Sequence, residues 1–232
     1  MPPLFDIAFA VIALLAMTAN FFEPAPWMMA VKPLPTLWLV LMARRFTREA
    51  FGLTLVLGVA CGAAGDALLA PERRALFPAG LLAFLVGHLF YIAAFTRRGR
   101  LRMSRIGAAA PLIAGSAVLC YHVQRAMSAR GEAADFPGVA LYMTLLVTMT
   151  VTAIVREGGS ALVPCGAVIF LVSDAHIAFN NFIFASPGKV LLFSGMATYY
   201  LAQYLIVKGC ILEGDAGGGR ATASRADRGA AQ

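Results

Sequence analysis

The sequence predicts an all-α membrane protein with about eight transmembrane helices. Three observations carry that prediction. Hydrophobic residues make up 60% of the 232 and charged residues only 13%. With a mean hydropathy of +0.77, that is more apolar surface than a water-soluble domain of this length can hide. The apolar residues also come in runs long enough to cross hydrocarbon, which takes about 20 residues. Short clusters of charge, Gly and Pro separate the runs. Backbone polar groups in lipid must be satisfied within their own segment, so such runs fold as helices.

Eight runs cover roughly 4–22, 27–43, 50–70, 75–95, 104–124, 138–155, 160–184 and 188–211. The first lacks a basic start and a small-residue cleavage site, so it reads as a span rather than a secretory signal. Residues 1–212 form the transmembrane domain in this reading. The remainder, 213–232, is rich in Gly, Ala and Arg without periodicity and reads as a disordered tail.

The net charge of +7 sits in the loops, which is a footprint of topology and not of a nucleic-acid surface. Arg44, Arg45, Arg48, Arg97, Arg98, Arg100, Arg102, Arg105, Arg156, Lys208, Arg220, Arg225 and Arg228 fall on one side. Lys32, Arg73, Arg74, Arg125, Arg130 and Lys189 fall on the other. The side richer in Lys and Arg faces the cytoplasm, so both termini are expected there. Heavy use of Ala, Gly and Arg suggests a bacterial inner membrane. The four cysteines (Cys61, Cys120, Cys165, Cys210) stand apart in apolar stretches with no CxxC spacing. They predict neither a disulfide framework nor a metal site, and no cofactor is expected.

Two short segments echo one another. Gly65-Asp66-Ala67-Leu68-Leu69-Ala70 closes the third span, and Ser173-Asp174-Ala175-His176-Ile177-Ala178 lies in the seventh. Each is followed by a proline (Pro78, Pro187) and then an aromatic-rich span (Phe90-Tyr91, Tyr199-Tyr200). Four spans separate them, so the pattern suggests two four-helix repeats of the same orientation, with Asp66 and Asp174 meeting near a pseudo-two-fold axis. Chance similarity between Ala/Leu-rich helices is the plainer reading.

Ionisable groups inside a membrane are costly and face a cavity or each other. Here they are Lys32, Asp66, His88, Asp174 and His176, with Asn20, Thr36, Tyr91, Tyr142, Ser173, Asn180, Asn181, Tyr199 and Gln203 as neutral companions. Helical spacing sorts them into faces: Asp174, Ala178 and Asn181 on the seventh span, His176 and Asn180 on a second stripe of it. Tyr199 and Gln203 share a face, as do His88 and Tyr91, and Lys32 and Thr36. Most have a structural reading. Lys32 is placed to snorkel, Tyr142 to join an aromatic belt, and the hydroxyl and amide groups to bond helix to helix. Two carboxylates in apolar spans have few such uses. In low dielectric one of a neighbouring pair holds a proton while the other ionises, which provides a general acid beside an acceptor. The same pair could relay protons in a transporter.

The motifs together resemble the lysoplasmalogenase (YhhN-like) family of multi-pass membrane hydrolases. The resemblance runs from span 2 to span 8: Lys32-Pro33-Leu34, Gly65-Asp66-Ala67-Leu68-Leu69, Phe84-Leu85-Val86-Gly87-His88-Leu89-Phe90-Tyr91, Tyr142, Phe170-Leu171-Val172-Ser173-Asp174 and Tyr199-Tyr200-Leu201-Ala202-Gln203. Where a basic residue often precedes the phenylalanine that closes the span 7 motif, this chain has Asn181 before Phe182. The resemblance implies hydrolysis of the vinyl ether of a lysoplasmalogen to a fatty aldehyde and a glycerophospho-headgroup, without a metal. Asp66 and Asp174 would then be the acid–base pair, as in the two-carboxylate logic of glycoside hydrolysis. His88, Tyr142, Tyr199 and Gln203 would position water and the ether oxygen, with Tyr91, Ser173 and Asn181 also lining the substrate. Lys32 would suit the phosphate of a lysophospholipid drawn from the surrounding membrane lipids. A proton-coupled transporter or lipid flippase is the alternative.

Overall fold

The computed structural model describes residues 2–19, 27–47, 49–70, 74–183 and 189–229. Asn20, Arg48, Arg73 and Pro187 lie outside the described residues. Eight helices account for most of the rest: α1 (Pro3–Ala19), α2 (Leu34–Phe46), α3 (Glu49–Leu69), α4 (Phe77–Arg98), α5 (Ile106–Ala129), α6 (Phe136–Val155), α7 (Leu162–Ala178) and α8 (Lys189–Gly229). Among the described residues the only β pairing is an isolated bridge between Leu101 and Arg156. Helices α3 to α7 are long and apolar enough to cross a membrane, and α1 is a shorter apolar helix. This is an all-α integral membrane protein.

Two spans depart from the regular helices expected. The second divides into one turn, Met28–Val31, and then α2. The reason is Pro33 and Pro35: proline has no N–H to donate and its ring crowds the preceding turn. The carbonyl of Lys32 is met instead by the Tyr200 hydroxyl at 2.8 Å. The seventh span ends in a π-helical turn, Phe179–Ile183. Its wider pitch carries Asn181 out of register with Asp174 and Ala178, so the expected polar stripe stops at Ala178.

Glycine sets how closely the helices approach. A Cβ on Gly58 of α3 would stand 3.2 Å from the Tyr91 ring, and one on Gly87 of α4 would stand 3.1 Å from the Gly58 carbonyl. On α7, a Cβ at Gly166 would lie 2.8 Å from the Ala202 carbonyl of α8. Small residues that let backbones touch are the usual adhesive of membrane helices, because lipid tails are as apolar as leucine. Gly58 and Gly166 are separated by the same interval as Asp66 and Asp174.

The helix neighbours follow the same period. The two most extensive pairings are α3 with α4 and α7 with α8. Advancing each helix by four also turns α1–α2 into α5–α6, α2–α3 into α6–α7, and α4–α6 into α8–α2, all of which pack together. A main core joins α1 to α4 with α6 to α8, while Val123, Met127, Val139, Ala178 and Phe182 form a smaller cluster on the α5 side. Helix α5 buries only Ala109, Val123 and Met127, so most of its surface faces outward.

At the end where the arginine-rich loops gather, Arg156 is buried and bound by Glu213 of α8. The guanidinium donates to Oε2 at 3.0 Å and to Oε1 at 2.5 Å, and lies 5.4 Å from the centre of the Phe95 ring. The backbone N–H of Ser160 donates to the same carboxylate at 2.8 Å. Arg156 was expected as a loop cation, and it instead ties α8 to the α6–α7 connection. Glu213 is the first residue of the tail expected from sequence.

Candidate active site

Asp66 lies three residues before the end of α3, and Asp174 four before the end of α7. Thr36 is two residues after the start of α2, and Tyr142 six after the start of α6. In a bundle whose helices alternate in direction, these positions lie near the end opposite Arg156. At 1.5 Å per residue Asp66, Thr36 and Tyr142 sit within about 10 Å of their helix ends, whereas the π turn Phe179–Ile183 sets Asp174 deeper in its span.

The preceding helix supplies a hydroxyl to each carboxylate. Thr36 Oγ1 of α2 donates to Asp66 Oδ2 at 2.6 Å, and the Tyr199 hydroxyl of α8 donates to the same oxygen at 3.0 Å. On the other half, the Tyr142 hydroxyl of α6 donates to Asp174 Oδ2. A hydroxyl aimed at a carboxylate oxygen fixes its rotamer. Lys32 and Asp174 are both close enough to Asp66 to act on its charge.

From Asp66 the network continues inward. Gln203 Nε2 donates to the Tyr199 hydroxyl at 3.2 Å, and Tyr91 donates to Gln203 Oε1. Thr36, Tyr91, Tyr199 and Gln203 are all buried. Gly62 of α3 makes room for them: a Cβ there would stand 2.8 Å from Gln203 Nε2 and 3.3 Å from the Tyr199 hydroxyl. Phe170 links the halves, with its ring 5.5 Å from Tyr199 and 5.3 Å from His88, both edge-on. His88 in turn packs edge-on against Tyr142 at 5.3 Å.

The structure thus gathers Asp66, Asp174, His88, Tyr91, Tyr142, Tyr199 and Gln203, with half-buried Lys32 at the Asp66 side. Two expected residues turn elsewhere. Ser173 donates to the Gly195 carbonyl of α8 at 2.9 Å, a bond between helices. Asn181 donates from its amide to Ile177 of its own helix, and its carbonyl accepts from Arg130 at 2.8 Å. Outside the expected set, His176 Nδ1 donates to the Val172 carbonyl at 2.8 Å. Thr36, Gly62 and Phe170 were not among the site residues read from sequence. Thr36 carried a usable signal, its helical spacing from Lys32, and Phe170 opened the span 7 motif, whereas Gly62 looks like any small residue of a span. Among the described residues no three His, Cys, Asp or Glu side chains converge as metal ligands would.

A protein-family model described as the YhhN family matches residues 27–210, which takes in every residue of this network. The chain belongs to the YhhN family. It is 30% identical to human lysoplasmalogenase TMEM86A over 193 residues, 75% of this chain and 73% of the relative. To the mouse protein lysoplasmalogenase TMEM86B it is 34% identical over 152 residues, 63% of this chain and 58% of the relative. No solved structure matches.

Proposed function

We propose that the protein hydrolyses the vinyl ether of lysoplasmalogens, releasing a fatty aldehyde and a glycerophospho-headgroup. The observation that carries the reading is the pair of hydroxyl-bonded carboxylates near one end of the bundle, in a family whose named relatives are lysoplasmalogenases. A vinyl ether is cleaved by protonating its β-carbon, which leaves an oxocarbenium ion that water attacks. A carboxylic acid can supply the proton, and an ionised partner can steady the cation. Asp66 and Asp174 are that pair, and Tyr142, Thr36 and Tyr199 hold them in place.

Depth supports the substrate class. In a lysolipid the ether is attached to the glycerol, where headgroup meets hydrocarbon, and Asp66 lies within a few residues of its helix end. A single chain entering sideways keeps its tail in apolar surroundings while the ether reaches the acid. Lys32 at the rim suits the phosphate. Tyr91 and Gln203 order Tyr199, whereas Ser173 and Asn181 act through the backbone positions they brace. A proton-coupled transporter could use the same carboxylates, but no relative given above bears a transporter name. We further place the protein in a bacterial inner membrane, from its heavy use of Ala, Gly and Arg, with both termini in the cytoplasm, on the strength of the loop arginines.

A substrate panel tests the reading. Purified protein in detergent is given lysolipids with one headgroup and vinyl-ether, ester or alkyl-ether chains. Aldehyde is expected from the vinyl ether, with neither other lipid cleaved. Cleavage of the ester at a comparable rate would contradict it, because that points to acyl chemistry.

A further inference from the structure

Nearly every buried polar side chain near the carboxylates has a hydrogen-bond partner. His88 does not. It is 1% exposed, yet neither Nδ1 nor Nε2 meets a partner among the described residues. Among the described residues, the only other buried side-chain atom in that condition is Asn180 Oδ1, on the π-helical turn. A buried imidazole with both nitrogens unpaired is costly to keep, and a structural histidine normally satisfies at least one of them. The ring is held edge-on by Tyr142 and Phe170, each at 5.3 Å. Through Tyr142 it stands one hydrogen bond from Asp174.

We infer that His88 holds the hydrolytic water and takes its proton. This rests on the hydrolase reading above and assigns a step within it. A neutral imidazole offers one acceptor nitrogen and one N–H donor, so a water donating to the first meets one of the two unpaired atoms and leaves the N–H for another polar group of the bound substrate. The step balances as follows. The carboxylic acid gives its proton to the β-carbon, and the π electrons of the double bond form the new C–H bond. The ether oxygen shares a lone pair with the adjacent carbon to make the oxocarbenium ion. Water attacks that carbon, and His88 takes the proton it sheds, giving a neutral hemiacetal. When the hemiacetal collapses, its C–O bond to glycerol breaks and imidazolium protonates the departing oxygen. The hemiacetal hydroxyl proton returns to the carboxylate.

Because His88 acts after protonation, removing it has a signature that a structural role would not produce. Wild type in D2O should release aldehyde from a cis lysoplasmenylethanolamine and leave unreacted substrate unlabelled. In His88→Leu, aldehyde release should fall by about 10²-fold or more. The oxocarbenium ion, denied its water, should return a proton to the carboxylate. Unreacted substrate should then gain deuterium at the β-vinyl carbon, with some trans isomer. His88→Gln, closer in polarity, should show the same labelling, and His176→Leu should behave as wild type. Full hydrolysis by His88→Leu would overturn the inference, as would loss of hydrolysis with no label in the substrate of either variant. No aldehyde from the wild type would overturn the hydrolase reading itself, an outcome read before any His88 variant is compared.

Discussion

Gly62 shows how much of this site depends on an absent side chain. The amide of Gln203 and the hydroxyl of Tyr199 occupy the space that a methyl group at position 62 would need. Gly62→Ala should push both away from Asp66 and cost about 1–3 kcal/mol, the usual range for forcing extra volume into a packed interior. Activity should fall as the Tyr199 bond to Asp66 lengthens. Gly115→Ala provides the contrast, because a Cβ there meets nothing within 4 Å. That change should be neutral or raise stability by about 0.5–1 kcal/mol, since alanine favours a helix over glycine. Thermal unfolding in detergent, measured beside aldehyde release, reads both effects.

Among the helices, the sharpest energetic statement concerns α8. Its carboxylate at Glu213 meets Arg156 with side-chain exposures of 9% and 2%, so the pair is screened from water. Removing one partner of a buried pair leaves a charge with no compensation, typically at a cost of about 3–5 kcal/mol. Arg156→Ala and Glu213→Ala should each lower the melting temperature markedly. The double variant should lose little more than either single one. If the two losses add, the pair is not coupled as described. The helices themselves were largely legible in the sequence, because hydropathy in lipid is a strong signal and every span had to be helical. What could not be read was where a span departs from regularity. The Pro33–Pro35 break was hinted at by composition, but the π turn at Phe179–Ile183 depends on how α7 packs against α5 and α6. Likewise, Asp66 and Asp174 stood out because a charge in hydrocarbon needs a reason. Asn181 was placed by spacing on the face of Asp174, yet the π turn leaves its side chain bonded to Ile177, and packing against α8 turns Ser173 to Gly195.

For the molecule as a whole, two halves share a plan and differ in content. Several helix pairs recur four helices on, and Gly58 and Gly166 each bring their helix close to the next. Yet Asp66 takes hydroxyls from Thr36 and Tyr199, whereas Asp174 takes one from Tyr142 and has His88 nearby. Two carboxylates with unlike surroundings suit acid–base chemistry, because the two must differ in proton affinity. Topology is testable at this scale. A C-terminal green fluorescent protein fusion should fluoresce and a C-terminal alkaline phosphatase fusion should be inactive, since both report a cytoplasmic end. The opposite pair of results would invert the bundle and place the carboxylate end on the cytoplasmic face.

The most direct test of the central claim compares purified wild type with Asp66→Asn and Asp174→Asn for aldehyde release from lysoplasmenylcholine and lysoplasmenylethanolamine. Asparagine keeps the size of the side chain but can neither hold a transferable proton nor carry the charge. With both variants shown to be folded by their unfolding transitions, the account predicts aldehyde from wild type and a loss of at least about 10²-fold in each variant. Either variant hydrolysing at the wild-type rate would contradict it, because the chemistry would then not need the pair.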